Sequence, residues 1–174
     1  MIKIKKKSLK IKDKRAFFFY IIATFMLWQL GATIRDLCVD TFAQISTQGS
    51  AILSFVYAKN TGGAFSLFEG HPYLLALFAV LVLGALVAYV YKRVIFNDKF
   101  KILALVLFSA GILGNLYERI TLGYVVDYVK LNFVNFAVFN VFDVMICASV
   151  FIFILMVLYE DIILICNKNG KNKS

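Results

Sequence analysis

The chain has 174 residues, of which 61% are hydrophobic and only 17% charged, and its formal charge is +9. That mixture excludes an ordinary soluble globule, and the basic residues cluster between apolar runs instead of forming a patch that would suit nucleic acid. Runs close to the roughly 20 residues that a helix needs to cross a bilayer occupy 16–34, 72–91, 102–119 and 139–160, the last interrupted by Asp143. They are apolar around their whole circumference, which the one-sided helices of a soluble bundle are not.

Taken in order, residues 1–15 form a lysine-rich cytoplasmic arm. The first span, 16–34, is too long for a secretory signal and is followed by no small-residue cleavage site, so it is read as retained. Trp28 and Gln29 stand toward its outer end and Arg35 closes it. Residues 35–71 are the one long extracytoplasmic segment. Within it Ala51 to Tyr57 is rich in strand formers and Ala64 to Phe68 is a second short apolar run. Lys59-Asn60-Thr61-Gly62-Gly63 between them has turn composition, so a small hairpin is expected.

Pro72, the single proline, opens the second span at the position where its missing N–H is harmless. A short basic link leads to the third span, which makes the two antiparallel neighbours. Gly111 and Gly114 permit close helix approach. Asn115 and Arg119 lie four residues apart on one face. From Lys101 to Asn115 is fourteen residues, about 21 Å of helical rise, which brings this pair toward the outer surface. Gly123 ends the helix. The link 120–138 is expected to be extended through Asp127 and then to lie along the interface. The fourth span follows, and 161–174 form a cytoplasmic tail. From Asp143 to Asp161 is about 27 Å of rise, so Asp143 also lies near the outer edge.

Fifteen of the nineteen lysines and arginines fall on one side of this layout, which places both termini in the cytoplasm. Cys38, Cys147 and Cys166 have neither disulfide-framework nor metal spacing. His71 reads as an interfacial residue. The sequence has no Ser-His-Asp or Cys-His arrangement and no HExxH, and one histidine excludes an all-histidine metal site.

Counts along separate helices therefore set Asn115, Arg119, Asp127, Asn140 and Asp143 at one level, alongside the 35–71 segment. Ionisable residues at a membrane's rim are site candidates. Two carboxylates within about 3 Å share one proton; the ionised member activates water and the protonated one polarises a carbonyl. Their titrations are coupled, so neither role is assigned to Asp127 or Asp143 alone. The amides of Asn60, Asn115 and Asn140 can orient the pair or a substrate, and Arg119 can bind an anionic headgroup or support the fold. The structural alternative is that Asp127 ends a strand and Asp143 caps a helix. Their matching depth favours a site.

Four stretches resemble the lipoprotein signal peptidase (signal peptidase II) family, membrane aspartyl proteases that trim bacterial prolipoproteins. Asn60-Thr61-Gly62-Gly63-Ala64-Phe65 resembles its N-T-G-A-A-F, and Gly114-Asn115-Leu116-Tyr117-Glu118-Arg119 its G-N-x-x-D-R. Gly123-Tyr124-Val125-Val126-Asp127-Tyr128 resembles G-x-V-x-D-[FY], and Phe139-Asn140-Val141-Phe142-Asp143 resembles F-N-x-A-D. The resemblance implies Asp127 and Asp143 as the catalytic pair, with Asn60, Gly62, Asn115, Arg119 and Asn140 lining or supporting the site. It also implies cleavage before a diacylglyceryl-modified cysteine, no metal or other cofactor, and no nucleic-acid partner. The partners would be lipid-modified precursors and membrane phospholipid, with the chain acting as a monomer at the inner membrane of a bacterium.

The fold expected is an all-α membrane protein of four transmembrane helices, with a small extracytoplasmic β-cradle and a short interfacial helix over the site. Three departures from the pattern stand out. The family's D-x-x-x-K is absent from Trp28-Gln29-Leu30-Gly31-Ala32-Thr33, Glu118 replaces an Asp, and Phe142 replaces a small Ala where its bulk would crowd the pocket. Two other readings stay open: a relative that binds lipidated peptides without cutting them, and a small transport subunit whose acids relay protons. The latter calls for internal repeats and interrupted helices, neither of which is visible.

Overall fold

The computed structural model describes residues 14–42, 52–63, 67–93 and 99–171. Four helices carry the chain: α1 (Lys14–Leu37), α2 (Pro72–Arg93), α3 (Lys99–Leu122) and α4 (Val141–Lys171). All four are long and apolar enough to cross a membrane. The helices overrun the apolar runs because lysine and arginine at their ends are good helix formers and continue the turns. At one end the fourth helix instead starts later than expected, at Val141 and not residue 139, and the tail from 161 continues it.

The helix α3 is the central one. The apolar window of α3 is 61% buried, against 11–17% in the other three, whose outward residues such as Phe18, Leu81 and Phe151 remain exposed as lipid-facing surface would be. One core cluster joins Ala16, Tyr20, Val90, Ile102, Leu105 and Val106. Tyr20 and Ser109 hydrogen-bond within the bundle at 2.7 Å, which satisfies both hydroxyls where no water reaches. A second cluster, Ala110, Phe142 and Met145, lies toward the other end.

That other end carries a two-stranded antiparallel sheet, β1 (Leu53–Asn60) with β2 (Val125–Leu131), running in register from Leu53 opposite Leu131 to Asn60 opposite Val125, with an irregularity between Phe55 and Ala58. Because β1 links α1 to α2 and β2 links α3 to α4, the sheet gathers both connections at one end of the bundle. The hairpin expected inside 35–71 is therefore not how β1 is paired. Asn60 is the last residue of β1, and its amide oxygen accepts the Gly62 N–H at 3.0 Å, closing a side-chain turn that needs no positive φ at Gly62 or Gly63. Residues 64–66 of the second apolar run lie outside the described residues, as do the arm before residue 14, residues 94–98 of the basic link and the last three residues.

Link 120–138 is corrected too. Gly123, at φ +79°, ends α3 with its N–H on the Arg119 carbonyl at 3.2 Å. The strand does not stop at Asp127 but continues to Leu131, because Val125, Val126 and Val129 favour pairing with β1. The short interfacial helix expected here is replaced by an irregular arm that folds back, with Phe139 and Val129 exchanging backbone hydrogen bonds at 2.8 and 3.0 Å. The short helical element among the described residues is a π-helical turn, Cys38–Phe42, directly after α1.

Phe142 does not crowd the acids. Its ring, 2% exposed, lies in the seam between α1, α3 and α4. There α3 and α4 approach backbone to backbone: a Cβ added at Gly111 would stand 2.5 Å from the Phe142 carbonyl oxygen. Gly111→Ala is accordingly expected to lose about 1–3 kcal/mol through overpacking, read as a fall in thermal unfolding temperature in detergent. An unchanged transition would show that the two helices separate freely.

Candidate active site

The site is built outward from the first turn of α4. Asn140 precedes the helix, and its Oδ1 accepts the N–H groups of Phe142 and Asp143 at 2.8 and 3.1 Å. Asp143 reaches back, its Oδ2 accepting the Asn140 N–H at 3.1 Å. This reciprocal capping box satisfies helix-end donors that have no partner within the helix, and it sets Asp143 where the helix dipole favours negative charge. The capping alternative for Asp143 is thus real, and it coexists with a wider network.

The Asn140 amide nitrogen donates to Asp127 Oδ1 at 2.8 Å and to Asn115 Oδ1 at 3.1 Å. Asn115, on α3, donates onward to Asp143 Oδ1 at 2.8 Å. From β1, Asn60 donates to Asp127 Oδ2 at 2.9 Å. A continuous chain of amides therefore runs Asn60, Asp127, Asn140, Asn115, Asp143, joining a strand pair and two helices. Arg119 sits one step behind it, donating to the Gly62 carbonyl at 2.8 Å and the Asn115 carbonyl at 3.2 Å. All seven residues singled out from the sequence meet in this one assembly.

Asp127 is 3% exposed and Asn140 1%. Burial pushes the Asp127 carboxyl up from its ordinary 3.8 to about 6; the Asp143 carboxylate adds to the rise, while donation from Asn60 and Asn140 opposes it. Asp127 can therefore exchange a proton near neutral pH, in a frame that the amides extend to Asp143. Among the described residues no group of three or more His, Cys, Asp or Glu side chains is placed to hold a metal ion.

Sequence reasoning missed two supporting residues and undervalued a third. Glu118, counted only as a mild exchange for Asp, is 2% exposed and accepts the Val126 N–H at 2.6 Å, next to Asp127. Arg35 on α1 is its cation, Nε to Oε1 at 3.6 Å. The Tyr128 hydroxyl accepts the Val141 N–H at 3.2 Å, tying β2 to the first residue of α4. The signal for Glu118 was its burial-prone place beside Asn115 and Arg119; for Tyr128 and Arg35 the primary structure offers none, because the partners are set by tertiary placement.

A family model described as Signal peptidase (SPase) II matches residues 23–159. A lipoprotein signal peptidase of Streptococcus thermophilus is 37% identical over 110 residues, covering 63% of this chain and 71% of the relative. One of Streptococcus agalactiae serotype V is 42% identical over 93 residues, covering 53% and 59%. A bacterial membrane enzyme structure obtained by the in meso method at 2.3 Å resolution superposes with a TM-score of 0.71 at 23% identity, covering 82% of this chain and 88% of the other. A second such structure, at 1.9 Å, gives 0.61 at 21% identity, covering 84% and 96%. These two likenesses concern the fold.

The raised affinity of Asp127 for its proton has a stability consequence. A carboxyl whose folded value lies above its unfolded one stabilises the fold fully below pH 3.8, and that contribution is lost as pH rises through about 6. The difference amounts to about 3 kcal/mol. Asp127→Asn should flatten this part of the stability profile between pH 4 and 7, as measured by denaturation in detergent against the parent. Parallel profiles for the two proteins would show that Asp127 does not titrate with folding.

Proposed function

The chain belongs to the signal peptidase (SPase) II family, and from that premise we propose that Asp127 and Asp143 form the reacting pair of an aspartic lipoprotein signal peptidase. It is a multi-pass membrane peptidase whose substrates are lipoprotein precursors. The bond cut is the one before the diacylglyceryl-modified cysteine. The observation that carries the assignment is the amide chain, which fixes two acids from different elements in one frame at the sheet-bearing end of the bundle.

The chemistry follows from one proton shared by two carboxyls. The ionised member takes a proton from water, whose oxygen attacks the scissile carbonyl carbon; the protonated member donates to the carbonyl oxygen as negative charge develops there. Collapse of the tetrahedral species breaks the C–N bond, and the proton gained from water passes to the amine of the lipidated cysteine. The Asn60, Asn140 and Asn115 amides hold the carboxyl oxygens in place through both stages without adding positive charge. Arg119 keeps Gly62 and Asn115 in position from behind.

The basic residues on one side of the spans support cytoplasmic termini and a site at the outer face of the membrane. There the chain would work as a monomer among phospholipids, with no cofactor. Neither a silent peptide binder nor a proton-relaying transport subunit is favoured by any observation on the site.

Incubated in detergent with a lipid-modified precursor, the parent chain should convert it to the shorter form on a gel. Asp127→Asn and Asp143→Asn should each lower the rate by a factor of about a thousand or more; cleavage surviving in either removes the dyad. Asn60→Ala withdraws a donor that favours the ionised form of Asp127, so its affinity for the proton rises. The alkaline limb of the kcat/KM profile should then move to higher pH by about one unit. A shift to lower pH would place the titrating group elsewhere.

A further inference from the structure

Gly31 and Arg35 stand four residues apart on α1 and so share one face. Gly31 meets Phe142, the neighbour of Asp143, and Arg35 meets Glu118, which holds Val126, the neighbour of Asp127. A Cβ built on Gly31 would overlap Cε1 of the Phe142 ring, and one built on Gly114 of α3 would overlap its Cδ1. The ring thus fills a slot that two glycines leave open on facing helices. Phe142 immediately precedes Asp143, and its own N–H is held by Asn140. Where the ring seats, the first turn of α4 must follow.

One turn along, Arg35 pairs with Asp36 through Nη2 at 2.9 Å, while its Nε, free of any hydrogen bond, lies 3.6 Å from Glu118 Oε1. The other oxygen of Glu118 holds the Val126 N–H, and Val126 immediately precedes Asp127. A charge on a carboxyl as buried as Glu118 is tolerated only beside a cation. Removing the cation would change how Glu118 holds the strand.

We propose that the Gly31–Arg35 turn of α1 positions both acids, Gly31 by receiving Phe142 and Arg35 by holding Glu118 against β2. These are positioning residues that act through Phe142 and Glu118, and the proposal rests on the reading of Asp127 and Asp143 as the reacting pair. Gly31 lies within the stretch of α1 that lacks the D-x-x-x-K pattern, and Arg35 two residues beyond it.

The test is steady-state cleavage of a lipid-modified precursor per folded enzyme, with kcat and KM separated. Gly31→Ala should lower kcat about tenfold or more while KM stays within about twofold, because a displacement near 1 Å of a reacting group weighs on the chemical step. Adding Phe142→Ala should recover most of that loss. Arg35→Met should lower kcat similarly and Arg35→Lys much less, and Glu118→Gln added to Arg35→Met should restore activity by removing the uncompensated charge while keeping an acceptor for Val126. A merely structural role would reduce the yield of folded protein and would produce no such recovery.

Single variants with kcat within about twofold of the parent, or double variants no better than the singles, would overturn the proposal. If Gly31→Ala does not fold, the Arg35 series decides alone. Asp127→Asn and Asp143→Asn run alongside: activity in either sinks the dyad itself, whereas inactive dyad variants without recovery in the α1 series sink only the positioning role.

Discussion

One primary amide holds the site together. Asn140 uses its two amide hydrogens on Asp127 and Asn115 and its oxygen on two backbone N–H groups at the start of α4. The strand acid, the central helix and the helix acid therefore refer to the same few atoms. An aliphatic residue at this position would leave buried donors and acceptors unpaired at several places at once, and each such orphan costs about 1–3 kcal/mol.

The choice of neutral donors has an electrostatic sense. An arginine placed directly against Asp127 would hold it ionised, lowering its proton affinity by one to three units in the usual range. Amides fix the geometry just as well and leave burial to dominate, so Asp127 stays near the range in which a proton can be exchanged. Arg119 is kept behind the amides on two carbonyl oxygens, where it braces the Gly62 turn. Arg35 stands between Asp36 and Glu118, at 2.9 and 3.6 Å, and so sets its positive charge against the buried acid that holds β2.

Much of this was legible in the order of residues, for reasons that can be stated. Spans announce themselves by length and apolar circumference, and helical rise converts sequence separation into depth, so Asn115, Arg119 and Asp143 could be brought to one level by counting. Pairing across distance could not be read that way. The Lys59 to Gly63 stretch has turn composition, and local rules gave it a local partner; in fact the Asn60 side chain makes the turn and β1 pairs with a strand more than sixty residues away. Volume was equally hidden. Phe142 looked too large for its surroundings because the space it fills is left by Gly31 and Gly114, on other helices.

The pairing of β1 with β2 also imposes an order of events on a growing chain. When Leu53–Asn60 leaves the ribosome its partner strand does not yet exist, and Asn60 has no Asp127 to hold until α2 and α3 have been made and threaded. The amide network is completed by the last span, with Asn140 just before it and Asp143 in its first turn. A half-made copy in the bilayer thus lacks part of the amide frame, and the proposed pair of acids comes together only with the whole bundle.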